Sequence, residues 1–206
     1  MKTQTWISKV IYMACLLSIV SSCKPYMQLR YGLTQPKEVA PEEIITFLKK
    51  HDFPTENQYA FVDSVSYFHA IKDPKFSKYL LTNLIFDHQG YLLQRDTAKC
   101  QWSGYDVIRS LNLDSLYTRS EDLQLSGILP FIKPLSIDTT SNECKNNPDF
   151  TVIITWAKFI GKYNYRLFDL AGAVKLNKNA RIRLIWLNID MQKSWHLTDS
   201  QKMEIK

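Results

Sequence analysis

The sequence predicts an α/β domain built on a mixed central sheet flanked by helices. Two observations carry this. Phe150 to Asp190, FTVIITWAKFIGKYNYRLFDLAGAVKLNKNARIRLIWLNID, reads as strand, turn, helix and strand, and strands this apolar are satisfied only in the middle of a sheet covered on both faces. Asn83 to Arg95 reads as a β-hairpin, two apolar strands meeting at a turn where Gly90 supplies a positive φ angle. A chain of 206 residues, 45% hydrophobic and 13% aromatic, can bury one sizeable core and is not a disordered chain.

Taken in order, residues 1 to 9 hold Lys2 and Lys9 and no acidic group, and Val10 to Val20 is an almost purely apolar run of 11 residues. A helix needs about 20 such residues to span a bilayer, so the run fits the apolar region of a secretory signal. Val20-Ser21-Ser22-Cys23 follows, an aliphatic residue and two small ones before a cysteine. This resembles the lipobox of bacterial lipoproteins. The resemblance implies a signal peptide over 1–22, cleavage before Cys23, and diacylation of the Cys23 thiol with acylation of the new amino group, palmitate being the usual label. It also implies a bacterial cell envelope location, on the periplasmic or outer-membrane face, with the membrane as partner through the lipid anchor. An ordinary secretory signal with a chance cysteine, or an uncleaved anchor, is the alternative. Cys15 lies within the apolar run and would be removed with it. Residues 23–40, with Pro25, Gly32 and Pro36 and no clear period, read as a lipidated tether, and 41–206 as a single α/β domain.

Pro41-Glu42-Glu43 opens a helix, because proline is tolerated in a first turn and carboxylates favour its positive end. Ile44, Ile45, Phe47 and Leu48 form its apolar face. Tyr59 to Val65 reads as a short strand, and Phe68 to Leu80 as helical with a break at Asp73-Pro74. After the hairpin, Ser103 stands as an N-cap with Asp106 three residues on. The pattern weakens from Leu113 to Ser126. Gly127 to Leu135 is apolar but carries Pro130 and Pro134, which makes it an edge strand or packed loop, and Asp138 to Asp149 is a loop. Phe150 to Trp156 is a buried strand, Tyr163 to Leu176 a helix with Tyr163, Leu167, Leu170, Ala171 and Val174 on one face, and Ile182 to Ile189 a parallel strand.

Val152-Ile-Ile-Thr-Trp-Ala157 resembles the first central strand of the thioredoxin-like fold, which runs into Trp-Ala and then Cys-x-x-Cys at a helix start. Arg183-Leu-Ile-Trp-Leu-Asn-Ile-Asp190 resembles that fold's next parallel strand with its Asn-x-Asp ending. The Asn83 to Arg95 hairpin resembles the family's closing hairpin, but it precedes the central unit. Only 16 residues follow Asp190. The resemblance therefore implies a permuted or strongly diverged thioredoxin-like domain in which the earlier hairpin completes the sheet. Aligned on Trp156-Ala157, the family's cysteines fall on Ile160 and Tyr163, with Gly161 and Lys162 between. Neither side chain forms a thiolate, and dithiol chemistry needs one thiolate to attack and a second thiol to resolve. This degenerate site implies a redox-inactive binding or assembly module, with another envelope protein as partner. Its helix start and Lys162 could hold an anion; the alternative is that Ile160 and Tyr163 pack.

Cys100 and Cys144 remain in the body. In an oxidising compartment such an even pair is often a disulfide, a pairing the sequence leaves open; the competing enzymatic reading is a thiol-disulfide oxidoreductase using Cys100, Cys144 or both, although they lack Cys-x-x-Cys spacing. His51, His69, His88 and His196 are scattered without ligand spacing, so neither a metal site nor a cofactor is expected. No glycine-rich phosphate loop or nucleophile elbow occurs. The formal charge of +6 includes Lys2 and Lys9 and is otherwise spread along the chain, which reads as solvated surface and not as a nucleic-acid interface.

Overall fold

A computed structural model of the chain describes residues 28–94, 104–135 and 147–203. Its centre is a seven-stranded mixed sheet with strand order β4-β3-β2-β6-β7-β1-β5. The strands are β1 (Gln58–Phe61), β2 (Asn83–Asp87), β3 (Tyr91–Leu93), β4 (Arg119–Gln124), β5 (Ile132–Pro134), β6 (Phe150–Trp156) and β7 (Ile182–Asn188). β6 and β7 run parallel over seven paired positions, Phe150↔Ile182 through Trp156↔Asn188, and β1 runs parallel to β7. The hairpin β2–β3 joins the other side of β6 antiparallel, with Asn83 opposite Ile154 and Asp87 opposite Phe150. β6 is therefore the middle strand, and all seven of its residues are buried.

Besides a single helical turn at residues 28–31, seven α-helices flank the sheet among the described residues: α1 (Pro41–Lys50), α2 (Ser64–Lys72), α3 (Pro74–Ser77), α4 (Gly104–Ser110), α5 (Tyr163–Phe168), α6 (Leu170–Leu176) and α7 (Asp199–Met203). Period two sorts the core between the two faces. Val152, Ile154 and Trp156 share one face with Trp186 and Gln58, and there Phe47 of α1 stacks on Trp156 while Phe168 of α5 packs on both tryptophans. On the other face Phe61 packs edge-to-face on Tyr67 of α2 and Phe76 of α3. The double cover expected of the central strands is present.

Local chemistry explains several boundaries. The Asp87 carboxylate accepts from the Gln89 and Tyr91 amides at 2.9 and 3.0 Å and pairs with Arg119 of β4 at 2.6 Å, closing the hairpin turn where Gly90 sits at φ +84°. Asp149 makes a two-pronged pair with Arg181, through Arg181 Nε at 3.2 Å and Nη2 at 2.7 Å, tying together the starts of β6 and β7. The Arg181 guanidinium holds the Asp149 carboxyl below the usual carboxylate range.

Four expectations need correction. The strand expected over Tyr59 to Val65 ends at Phe61, because Asp63 accepts from the Ser66 amide at 2.8 Å and starts α2 at Ser64. The crossover expected as one helix from Tyr163 to Leu176 is two, meeting at Asp169, and its buried set is Asn164, Leu167, Phe168, Leu170 and Ala173. β4 lies within Leu113 to Ser126, where the sequence pattern weakens. Finally, the segment expected as a tether is docked from residue 28 onward: Val39 is buried and bridges in parallel to Gln192. Cys23, Cys100, Cys144 and the N-cap Ser103 lie outside the described residues.

Candidate functional site

The C-terminal ends of parallel strands leave a crevice where loops converge, and in open α/β sheets this edge is where ligands bind. Here β6 ends at Trp156, whose ring is wholly buried and whose indole N–H donates to the Gln58 carbonyl at 3.0 Å. The other end of the Gln58 amide donates to the Pro54 carbonyl at 2.6 Å, so both of its polar groups are satisfied. After Ala157 a short 3₁₀ turn, Lys158–Ile160, leads through Gly161 into α5.

Asp190, at the end of β7, holds that turn. Its Oδ2 accepts from the Lys158 amide at 2.7 Å and from the Asn188 side-chain amide at 2.8 Å. Burial pushes the carboxyl up to about 6 against the opposing pull of these hydrogen bonds and of the Lys158 charge. Burial, reinforced by Asp190, likewise pushes the Tyr67 hydroxyl up to about 12. The folded Asp190 value exceeds the unfolded one of about 3.8, so folding favours the protonated carboxyl. Its stabilising contribution is full below about pH 4 and is lost as the pH rises through about 6. Asp190→Asn is thus expected to remove a decline of roughly 3 kcal/mol between pH 4 and pH 7. Urea midpoints of both proteins across that range measure it, and parallel pH profiles would refute it.

Ile160 is 3% exposed and points into the core. Tyr163 packs edge-to-face on Tyr31 with ring centroids 6.0 Å apart, while the Lys162 side chain is exposed. Packing, the alternative weighed against an anion site, is what these two side chains do. The loop's backbone is also engaged. The Lys162 N–H donates to the Tyr31 carbonyl at 2.7 Å, and the Thr34 N–H donates to the Phe159 carbonyl at 2.8 Å. Further along, Val39 N–H donates to the Met191 carbonyl at 2.8 Å and Lys193 N–H to the Val39 carbonyl at 2.9 Å. The lead-in, residues 28–40, is stitched across the loops that follow both central strands. Gly161, at φ +55°, makes the approach: a Cβ there would lie 2.3 Å from the Tyr31 carbonyl oxygen and 2.5 Å from that of Gly32.

Polar groups surround this edge. Glu43 of α1 bridges Lys158 and Lys193, and the hydrogen bond from Lys193 is the main reason its carboxyl sits below the usual range. Asn164 donates to the Ala157 carbonyl at 2.8 Å. Among the described residues the buried atoms Asn164 Oδ1, Gln192 Oε1 and Trp195 Nε1 have no hydrogen-bond partner, and all three belong to residues that follow the ends of β6 and β7. In the sequence Asp190 reads only as a strand ending, because a buried carboxylate capping a neighbouring turn leaves no periodic signal. Elsewhere an open groove of about 710 Å³ lies on the outer side of α2, lined by Val65, Phe68, His69 and Lys72 among others.

No group of three or more histidine, cysteine or acidic side chains is arranged to hold a metal ion among the described residues. Within the same residues no helix is long and apolar enough to cross a membrane. Comparison with protein-family models, with curated proteins and with solved structures finds no match to the chain.

Proposed function

We propose that this chain is a lipid-anchored protein of a bacterial cell envelope whose body is a thioredoxin-like domain without the reactive dithiol, acting as a binding or assembly module. The observation that carries the reading is at the end of β6: the loop where the family keeps its cysteines has a buried Ile160, a packed Tyr163 and a backbone already engaged by the chain's own lead-in. The frame around it supports the resemblance. β6 has its parallel neighbour β7 on one side and the hairpin β2–β3, from earlier in the chain, on the other. The apolar run and Val20-Ser21-Ser22-Cys23 support the anchor. Two or three acyl chains, at about 0.8 kcal/mol per buried methylene, make the attachment effectively stable.

Metabolic labelling tests the anchor: the chain is expected to incorporate palmitate and Cys23→Ala to incorporate none. Label that persists in the variant, or is absent from the normal chain, rejects it. For the module, another envelope protein is expected to co-purify, and Cys100→Ser is expected to leave partner-thiol redox states unchanged. Altered redox states in that variant would favour an oxidoreductase using Cys100 or Cys144.

A further inference from the structure

We infer that the surface formed by the lead-in and the start of α5 faces the membrane and takes anionic lipid headgroups through Lys162 and Arg166. This rests on the lipid-anchor reading and adds to it an orientation and a lipid chemistry. Three observations converge. First, the described chain begins at Gln28, five residues after Cys23, and residues 28–31 form one helical turn. Five residues reach at most about 17 Å and the turn adds about 5 Å, so an acylated Cys23 keeps Tyr31 within about 22 Å of the bilayer. Second, the lead-in is fastened to the body by the four backbone hydrogen bonds across the β6 and β7 ends, so restraining Tyr31 restrains that edge of the sheet. A freely hinged linker would leave the body's orientation open; a segment stitched at two places does not.

Third, the side chains gathered there suit an interface. The Arg166 guanidinium lies 5.7 Å from the centre of the Tyr31 ring and that of Arg30 lies 5.6 Å from it. Lys162 and Arg166 are exposed and, among the described residues, pair with no carboxylate. Leu29, two residues before Tyr31, is 89% exposed, and Tyr31, in edge-to-face contact with Tyr163, is an amphipathic ring of the kind enriched at the headgroup level. Cations held within a Debye length of an anionic leaflet gain about fivefold each in favour of the facing orientation.

Amide hydrogen exchange on the full acylated protein in vesicles tests this, comparing phosphatidylglycerol-containing with purely phosphatidylcholine vesicles. Co-sedimentation with both vesicle types reports the anchor. The expected result is exchange slowed about fivefold or more over residues 28–34 and 159–166 with phosphatidylglycerol only, and unchanged exchange over residues 177–181 at the opposite end of the parallel strands. Lys162→Glu/Arg166→Glu is expected to sediment as before and lose that slowing. A protein that sediments with both vesicle types but shows no lipid-dependent slowing in these segments overturns the orientation alone. Slowing that needs an added acidic protein and not the lipid also overturns it. Failure to sediment overturns the anchor and the orientation with it.

Discussion

Replacing Trp156 with alanine is expected to lower the unfolding free energy by about 4 kcal/mol or more. The ring is fully buried between Phe47 of α1 and Phe168 of α5, so its removal forfeits its transfer free energy and leaves a cavity that two helices and the central strand cannot close. It also leaves the Gln58 carbonyl without its donor in a residue that is itself buried, a loss of about 1–3 kcal/mol within the total. Trp156→Phe separates the two effects, since it keeps most of the packing and loses the N–H. Its expected cost is about 1–3 kcal/mol. Equilibrium urea unfolding measures both, and a cost below about 1 kcal/mol for the alanine variant would contradict a central role for this residue.

Gly161→Ala carries the second large effect, and it arises in the backbone. A Cβ at this position would stand 2.3 and 2.5 Å from two carbonyl oxygens of the lead-in, neither of which can swing aside as a flexible side chain can. The φ of +55° with ψ of −128° also lies outside the range that L side chains adopt readily. Either the loop refolds or the lead-in lifts, at a cost of about 2–4 kcal/mol in strain and lost hydrogen bonds. Amide exchange at Thr34 and Lys162 is expected to accelerate together in the variant. Gly127→Ala, where an added Cβ meets nothing within 4 Å, is the matched control, with an expected effect within about 0.5 kcal/mol. Equal exchange rates at Thr34 and Lys162 in Gly161→Ala and the normal chain would show that the lead-in does not depend on this notch.

Elements whose own side chains encode their environment were legible in the sequence. β6 and β7 announce themselves by unbroken β-branched and aromatic runs because both faces are covered, and the β2–β3 turn by a glycine that its φ requires. The start of α1 follows from Pro41-Glu42-Glu43 and the buried positions Ile44 and Leu48. β4, by contrast, is Arg-Ser-Glu-Asp-Leu-Gln, an edge strand with one buried residue, held by pairing to β3 and by the Asp87–Arg119 ion pair. No apolar pattern can reveal it. The docking of residues 28–40 is hidden for a different reason: four of the bonds that hold it are backbone to backbone, and these and the Lys202–Glu38 ion pair join residues distant in sequence.

The candidate site divides in the same way. Ile160 and Tyr163 were readable as residues that cannot carry dithiol chemistry, because that follows from side-chain identity alone. Asp190 was not readable as the carboxylate that caps the Lys158 turn, since its burial and raised pKa depend on Lys158, Asn188 and the chain packed around them. That a side chain cannot form a thiolate can be read locally; chemistry assembled from several loops cannot.

We propose that the chain reaches its site of action through a lipid on Cys23, with a folded body in which the loop after β6 is engaged by the chain's own lead-in. Intact mass of the protein extracted from the membrane fraction tests the first half most directly. The expected species begins at Cys23 and carries a diacylglyceryl group and an N-acyl chain. A mass corresponding to a chain beginning at Met1, or to an unmodified Cys23, would contradict it.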